Sequence, residues 1–143
     1  MTIVEFLEAR LDEDEEVARD AAGWDSSGSV RDEGLWRRDG VNSVIDSARR
    51  MVVYGDGSAP DDSKADHIAR FDPARALRDV AVKRAILAQE EASRSQFEHV
   101  KSSTTYPAIE VLIGQVAALA TVIRHLASAY SDHPDYQAEW AIP

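Results

Sequence analysis

The chain of 143 residues contains no cysteine. Disulfides, thiolate metal sites and a cysteine nucleophile are therefore excluded, and this absence fits a reducing cytoplasm. The N-terminus has no basic segment followed by an apolar stretch, so we expect no secretory signal. The most apolar segment, residues 111–123, contains Gly114, Gln115 and Thr121 and is followed by Arg124. We expect it to fall short of the ~20 apolar residues of a membrane span, which predicts a soluble, cytoplasmic protein without a membrane partner.

Basic residues are also scarce, because 16 Lys and Arg stand against 26 Asp and Glu and give a net charge of −10 at pH 7. Such a charge repels nucleic acid at long range, so a nucleic-acid partner is not expected. The apolar fraction of 44% and the charged fraction of 29% are those of an ordinary globular protein. The length suits a single domain, residues 1–143.

Local start signals and apolar spacing predict four helices, at about 2–22, 64–70, 73–98 and 107–130. Thr2 and Glu5 have the spacing of a capping box, in which each side chain satisfies an open N–H group near the helix start. Asp72-Pro73 is the sharpest signal in the chain. Asp accepts hydrogen bonds from open N–H groups, and Pro at the first helical position has a helical φ and no N–H.

The helix predicted at 107–130 is apolar over most of its circumference. A helix of this kind is typical of the centre of a fold, so we expect it to be covered on several sides. The tail, residues 131–143, turns the chain, and Trp140 is expected to fold back onto the helices.

Residues 30–54 have the pattern of a small antiparallel sheet. Asp39-Gly40 is a preferred two-residue hairpin turn, since such turns need positive φ. It predicts a second strand over 41–45, and 51–54 predicts a third. Because three strands alone are barely stable, they must lean on helices. The predicted fold is therefore mainly helical α+β, a three-helix-dominated bundle with a small three-stranded antiparallel meander.

Three blocks of the chain resemble a known family, at residues 6–15, 67–78 and 130–140. Their sequences are FLEARLDEDE, HIARFDPARALR and YSDHPDY followed by Trp140. In order and spacing they resemble a small-protein family of unknown function from actinobacteria and their phages. The resemblance implies an actinobacterial or actinophage origin and hence a bacterial cytoplasm. It implies no activity and no catalytic residue.

His67, Asp72, His133 and Asp135 form a candidate set of ligands for a divalent metal, because histidine and carboxylate are good ligands for such ions. Local structure can also account for these residues without a metal. Asp72 fits the role of a helix cap, and His133 and Asp135 flank Pro134 in a turn. The sequence also has no HxxxH or HExxH spacing on a helix, so metal binding is the weakest of the three functional alternatives.

A second candidate set consists of arginines near a tryptophan: Trp36, Arg38, Arg70, Arg75 and Arg78. Arginine beside an aromatic ring can hold the base and phosphate of a nucleotide. Alternation along a strand, however, directs Arg37 and Arg38, and likewise Arg49 and Arg50, to opposite faces of the sheet. Binding of a small anionic ligand is therefore an alternative and not the first choice.

Signs of catalysis are missing from the sequence. It has no Gly-x-Ser-x-Gly elbow between a strand and a helix, and the Gly-Asp-Gly-Ser run at 55–58 lacks the lysine of a phosphate loop. We therefore expect no cofactor and no catalytic residue. The first prediction is a non-enzymatic interaction or assembly protein, whose partner is another protein or further copies of itself. The apolar helix at 107–130 is the expected contact, since its apolar perimeter exceeds what two neighbouring helices cover.

Overall fold

The structure is a computed structural model, and it describes residues 1–23, 34–40, 43–53, 62–101 and 109–142. The elements in these ranges are α1 (Ile3–Ala22), β1 (Trp36–Arg38), β2 (Val44–Asp46), β3 (Met51–Val53), α2 (Asp62–Arg70), α3 (Pro73–Val100), α4 (Ile109–Ser128) and a 3₁₀ turn (Ala138–Trp140). The predicted mainly helical α+β class with a three-stranded antiparallel sheet is confirmed. Each helix boundary lies within two residues of its predicted position. The predicted strand positions at 30–33, 41–42 and 54 lie outside the described residues.

The chain divides into two compact units. The first unit consists of Met1–Leu11 with Ala81–Pro143, and the second of Asp12–Val80. Helices α1 and α3 each contribute one part to the first unit and one part to the second.

The sheet of the second unit has the order β1-β2-β3, and both pairs are antiparallel. The middle strand is buried, with Val44 and Ile45 only 0% and 2% exposed. The predicted two-residue turn at Asp39-Gly40 is wrong, because the register pairs Arg38 with Val44 and leaves five residues between the strands. Burial of Val44 and Ile45 sets this register, whereas local turn chemistry favoured an earlier strand start.

The hairpin between β2 and β3 is held by the buried carboxylate of Asp46. Its two oxygens accept hydrogen bonds from the Arg50 backbone N–H at 2.7 Å and from Arg50 Nε at 2.6 Å. Arg49, between them, has φ +63°, a conformation that favours glycine. The Asp46 carboxylate therefore stabilises a turn with unfavourable backbone geometry.

The predicted cap of α3 is confirmed, and it also ties α3 to β1. Asp72 Oδ1 accepts the Arg75 N–H at 2.7 Å, and Oδ2 accepts the Trp36 N–H at 3.4 Å. Beside this pair, Gly34 O accepts the Ala74 N–H at 3.0 Å. Asp72 is 7% exposed, so one buried carboxylate starts a helix and positions a strand.

The first unit is built around Phe6, which is 0% exposed. Four rings surround it, with centroid distances between 5.0 and 6.4 Å: Tyr130, His133, Tyr136 and Trp140. Three of the contacts have the edge-to-face geometry that aromatic pairs prefer. Trp140 is 7% exposed and lies 5.0 Å from Phe6, which confirms that the tail folds back.

The capping box of α1 is confirmed in the same unit. The Thr2 N–H donates to Glu5 Oε2 at 2.7 Å, and the Glu5 N–H donates to Thr2 Oγ1 at 3.2 Å. The hydrogen bonds from Thr2 hold the pKa of the Glu5 carboxyl below its ordinary value. The start of α1 therefore depends on an ionised carboxylate.

Candidate functional site

The surface of α4 is the most unusual feature among the described residues. The helix buries only Leu112, Ile123 and Ala127. On its other sides Val111, Ile113 and Val122 are 70%, 51% and 36% exposed. Isolated exposed aliphatic residues are normal in folded proteins, but their concentration on a helix with so little burial makes α4 the candidate site of this chain.

Two expectations for this helix were wrong. Helix α4 is 20 residues long, and an 18-residue stretch of it has a mean hydropathy of 1.5, so the helix is long and apolar enough to cross a membrane by length and composition. Only 11% of this apolar stretch is buried, so α4 is not a covered central helix. Gly114, Gln115 and Thr121 interrupt the run of large side chains, but the stretch that contains them still has a mean hydropathy of 1.5. Apolar composition also does not show which surface covers a helix, and in this chain most of α4 is left exposed.

The exposed side of α4 has a defined layout, and we call it the α4 outer face. It comprises the exposed residues Glu110, Val111, Gly114, Ala117, Ala118, Thr121, Val122, Arg124 and His125. At 3.6 residues per turn these positions lie on one side of the helix, opposite Leu112 and Ile123. Small residues occupy the middle of the face, and a Cβ placed on Gly114 would meet nothing within 4 Å. A second helix could therefore approach the middle of the face closely.

Charges of opposite sign stand at the two ends of this face. Glu110 lies in the first turn of α4, and Arg124 lies near the last turn, beside His125. Among the described residues neither Glu110 nor Arg124 has an ion-pair partner. The sequence interpretation did not single out these two residues. Helical spacing could have found them, since both border the Gly114–Ala118 side of the helix.

The arginines predicted to bind a ligand all lie in the second unit, and some of them are already engaged. Arg38 donates to Asp62 at 2.7 Å and to Asp66 at 3.0 Å, and the bond to Asp66 is the main reason that its pKa is raised. The Arg75 guanidinium lies 4.2 Å from the Phe71 ring centre and 3.8 Å from Asp79. These acidic neighbours would compete with an anionic ligand.

The remaining members of that set are more open. Trp36 is half-buried on β1, whereas Arg70 and Arg78 are exposed at the end of α2 and on α3. No described contact joins the three. The ligand-binding set therefore stays a prediction.

The four residues predicted to bind metal are divided between the two units. His67 and Asp72 belong to the second unit, and His133 and Asp135 belong to the first. Within the described ranges, no group of three or more His, Asp and Glu side chains is placed to hold a metal ion. The Asp72 carboxylate is engaged by the α3 cap, and the metal prediction gains no support.

His133 has a structural role that sequence reasoning missed, together with Arg10. Arg10 is 8% exposed, its Nη1 contacts His133 Nε2, and its guanidinium carbon lies 5.5 Å from the Phe6 ring centre. Since arginine is always cationic, it donates to Nε2, and the other ring nitrogen, Nδ1, accepts the Asp135 backbone N–H at 3.1 Å. His133 therefore joins a buried cation to the aromatic core around Phe6.

The first unit also contains a groove of 620 Å³ between the start of α1, α3, α4 and the 3₁₀ turn. Its charged lining residues are Glu90, Arg94, Arg124 and Glu139. Arg94 donates to Glu90 at 3.1 Å and to Glu91 at 2.7 Å, so its charge is already neutralised. The groove thus presents mixed charges without a clear preference for a ligand of one sign.

Comparison with known proteins identifies a family but no activity. No curated protein matches the chain, and no solved structure matches it either. One family model matches residues 1–142, which is nearly the whole chain, and that family is described as one of unknown function. The chain therefore belongs to the family of unknown function DUF6221.

Proposed function

We propose that this protein is a non-enzymatic assembly protein that associates with further copies of itself through the α4 outer face. The observation that carries the proposal is the exposure of the 20-residue helix α4. Its most apolar 18-residue stretch has a mean hydropathy of 1.5, yet only 11% of this stretch is buried. Apolar surface of this extent is costly in water, and covering it is favourable.

The size of the face sets the expected strength of association. A helix of 20 residues is about 30 Å long, and a single helix pair buries less than the ~800 Å² per partner of a standard interface. We therefore expect a dimer in the micromolar range, whose population changes with protein concentration.

We also propose an actinobacterial or actinophage origin and a location in the bacterial cytoplasm. This proposal is supported by the resemblance of the blocks at 6–15, 67–78 and 130–140 and by the absence of cysteine. Recovery of the protein from fractionated actinobacterial cells would test the location. Its presence in the membrane fraction would contradict it.

Size-exclusion chromatography with light scattering, run over a wide range of protein concentration, tests self-association. We expect the apparent mass to rise from the 15.8 kDa of the monomer towards twice that value. Val111→Ser combined with Val122→Ser should keep the protein monomeric. Val82→Ser is the matched control, since Val82 is 61% exposed but lies on α3.

Two results would overturn the proposal. One is a monomer at every concentration. The other is partition of the unmodified protein into neutral phosphatidylcholine vesicles, lost in the Val111/Val122 double variant, while the protein in solution stays monomeric. In that case a lipid bilayer, and not a second copy, covers the α4 outer face.

A further inference from the structure

We infer that two copies pair through α4 in antiparallel orientation, about a two-fold axis that passes between Ala117 and Ala118. The inference rests on the proposed self-association and adds its geometry. It comes from the distribution of charge and side-chain size along the α4 outer face, which is complementary to itself in one orientation only.

Charge decides the orientation. Glu110 and Arg124 stand near opposite ends of α4, and both are exposed. In a parallel pair each of these residues would meet its own like charge. In an antiparallel pair, Glu110 of one copy lies level with His125 of the other and one residue from the level of Arg124, and this happens twice because the pair is symmetric. Opposite charges in these positions attract and like charges repel, so the antiparallel pair is favoured.

Side-chain size fits the same axis. Residues whose numbers add to 235 lie level in this arrangement, which pairs Gly114 with Thr121 and Ala117 with Ala118. The smallest residues of the face thus meet where the helices are closest. On the flank away from Glu110, Val111 of one copy lies within one turn of Val122 of the other. These two side chains are 70% and 36% exposed.

The protomer itself tolerates a larger residue at the crossing point. Because a Cβ on Gly114 meets nothing within 4 Å, a side chain there projects into open space in a single copy. Gly114→Leu should therefore leave the protomer folded, and it should abolish the dimer through a clash with the second copy. A protomer with unchanged circular dichroism and a tenfold or greater rise in the dimer dissociation constant is the expected result.

Charge reversal tests the pairing of Glu110 with Arg124. Glu110→Arg alone and Arg124→Glu alone should each weaken the dimer by about tenfold, since two attractive pairs become repulsive. The double variant should restore the original dissociation constant. In a parallel dimer neither the single nor the double variants would show this pattern, and that result would overturn the inference.

Disulfide cross-linking gives the direct test of orientation, because a chain without cysteine has no background. Packed helices with axes about 8–10 Å apart bring facing Cα atoms to roughly the separation that a disulfide needs. In the antiparallel pair Gly114 of the two copies would be about 10 Å apart along the helix axis, at 1.5 Å per residue. Gly114→Cys and Thr121→Cys should therefore cross-link when mixed, and neither should cross-link alone.

The outcomes separate the two claims. Cross-linking only in the mixture supports the antiparallel pair. Cross-linking of each single variant with itself, in a protein that light scattering shows to be dimeric, overturns the orientation and leaves self-association standing. A monomer by light scattering, with no cross-link in any sample, overturns both.

Discussion

Replacing Asp72 by alanine should destabilise the protein by about 2 kcal/mol. Loss of an N-cap costs about 1 kcal/mol, and the Asp72 carboxylate supplies that cap through the 2.7 Å bond from Arg75. The bond from Trp36 is long at 3.4 Å, and its loss adds about 0.5–1 kcal/mol. Because Asp72 is 7% exposed, water reaches the two freed N–H groups poorly. The total loss of unfolding free energy should therefore be at least as large as the loss of the N-cap by itself.

Urea unfolding followed by far-UV circular dichroism measures this loss of stability. Two further variants separate the contribution of the N-cap from that of the hydrogen bond with β1. Asp72→Ser keeps a capping oxygen but is too short to reach β1, so it should cost about half as much as Asp72→Ala. Thr2→Ala removes the exposed cap of α1 and should cost about 0.5–1 kcal/mol. Equal losses for Asp72→Ser and Asp72→Ala, or a smaller loss for Asp72→Ala than for Thr2→Ala, would refute the double role of Asp72.

Three further predictions concern glycine geometry, the aromatic core and pH. Gly34→Ala should cost about 1–3 kcal/mol, because φ is +68° and the new Cβ would lie 3.1 Å from the Ala74 N. Gly40→Ala, with similar φ but open space, should cost less in the same unfolding assay. Phe6→Ala should cost about 3–5 kcal/mol, and a loss below about half of that would show that Phe6 is not the centre of its cluster. For Glu5, the lowered pKa means that the carboxylate stabilises the fold above its ordinary pKa of 4.5, and that this advantage disappears as the pH falls through the lower folded-state pKa. The wild type should therefore exceed Glu5→Gln in unfolding free energy at pH 7, and the difference should shrink as the pH falls below 4.5; a pH-independent difference would contradict the role of the capping box.

Local chemistry explains which parts of the fold could be predicted from the sequence. The capping box of Thr2 with Glu5 and the Asp72-Pro73 start of α3 each depend on residues within three or four positions. No distant contact is needed to recognise them. The second role of Asp72, its hydrogen bond with Trp36, joins residues 36 positions apart and leaves no such mark.

The hairpin shows why the strands were harder. Asp39-Gly40 has the composition of a tight turn, and Gly40 does adopt a positive φ of 73°. The loop is nevertheless longer, because the pairing of Arg38 with Val44 is fixed by burial of β2 against the rest of the second unit. A register set by distant packing outweighs the local turn preference, and a single sequence gives little sign of it.

For the candidate site, the local structure was predicted correctly and its environment was not. The helix and its apolar pattern follow from the sequence, but the pattern was expected to lie in a core. The sequence of the helix does distinguish its buried side from its exposed side. Its buried positions include the large residues Leu112 and Ile123, whereas the middle of its outer face has Gly114 and Ala118.

Large side chains on one side of a helix and small ones on the other suit two different kinds of neighbour. Large aliphatic residues fill the space beneath a helix in its own fold, where packing density and buried volume determine stability. Small residues contribute little burial of their own, but they allow another backbone to come close, and this matters only if a second helix is present. The α4 outer face combines Gly114 and Ala118 with exposed valines and with charges of opposite sign at its two ends. Neither a solvent-facing surface nor one side of a core explains this combination well. The antiparallel pair that we propose would account for all of these features together.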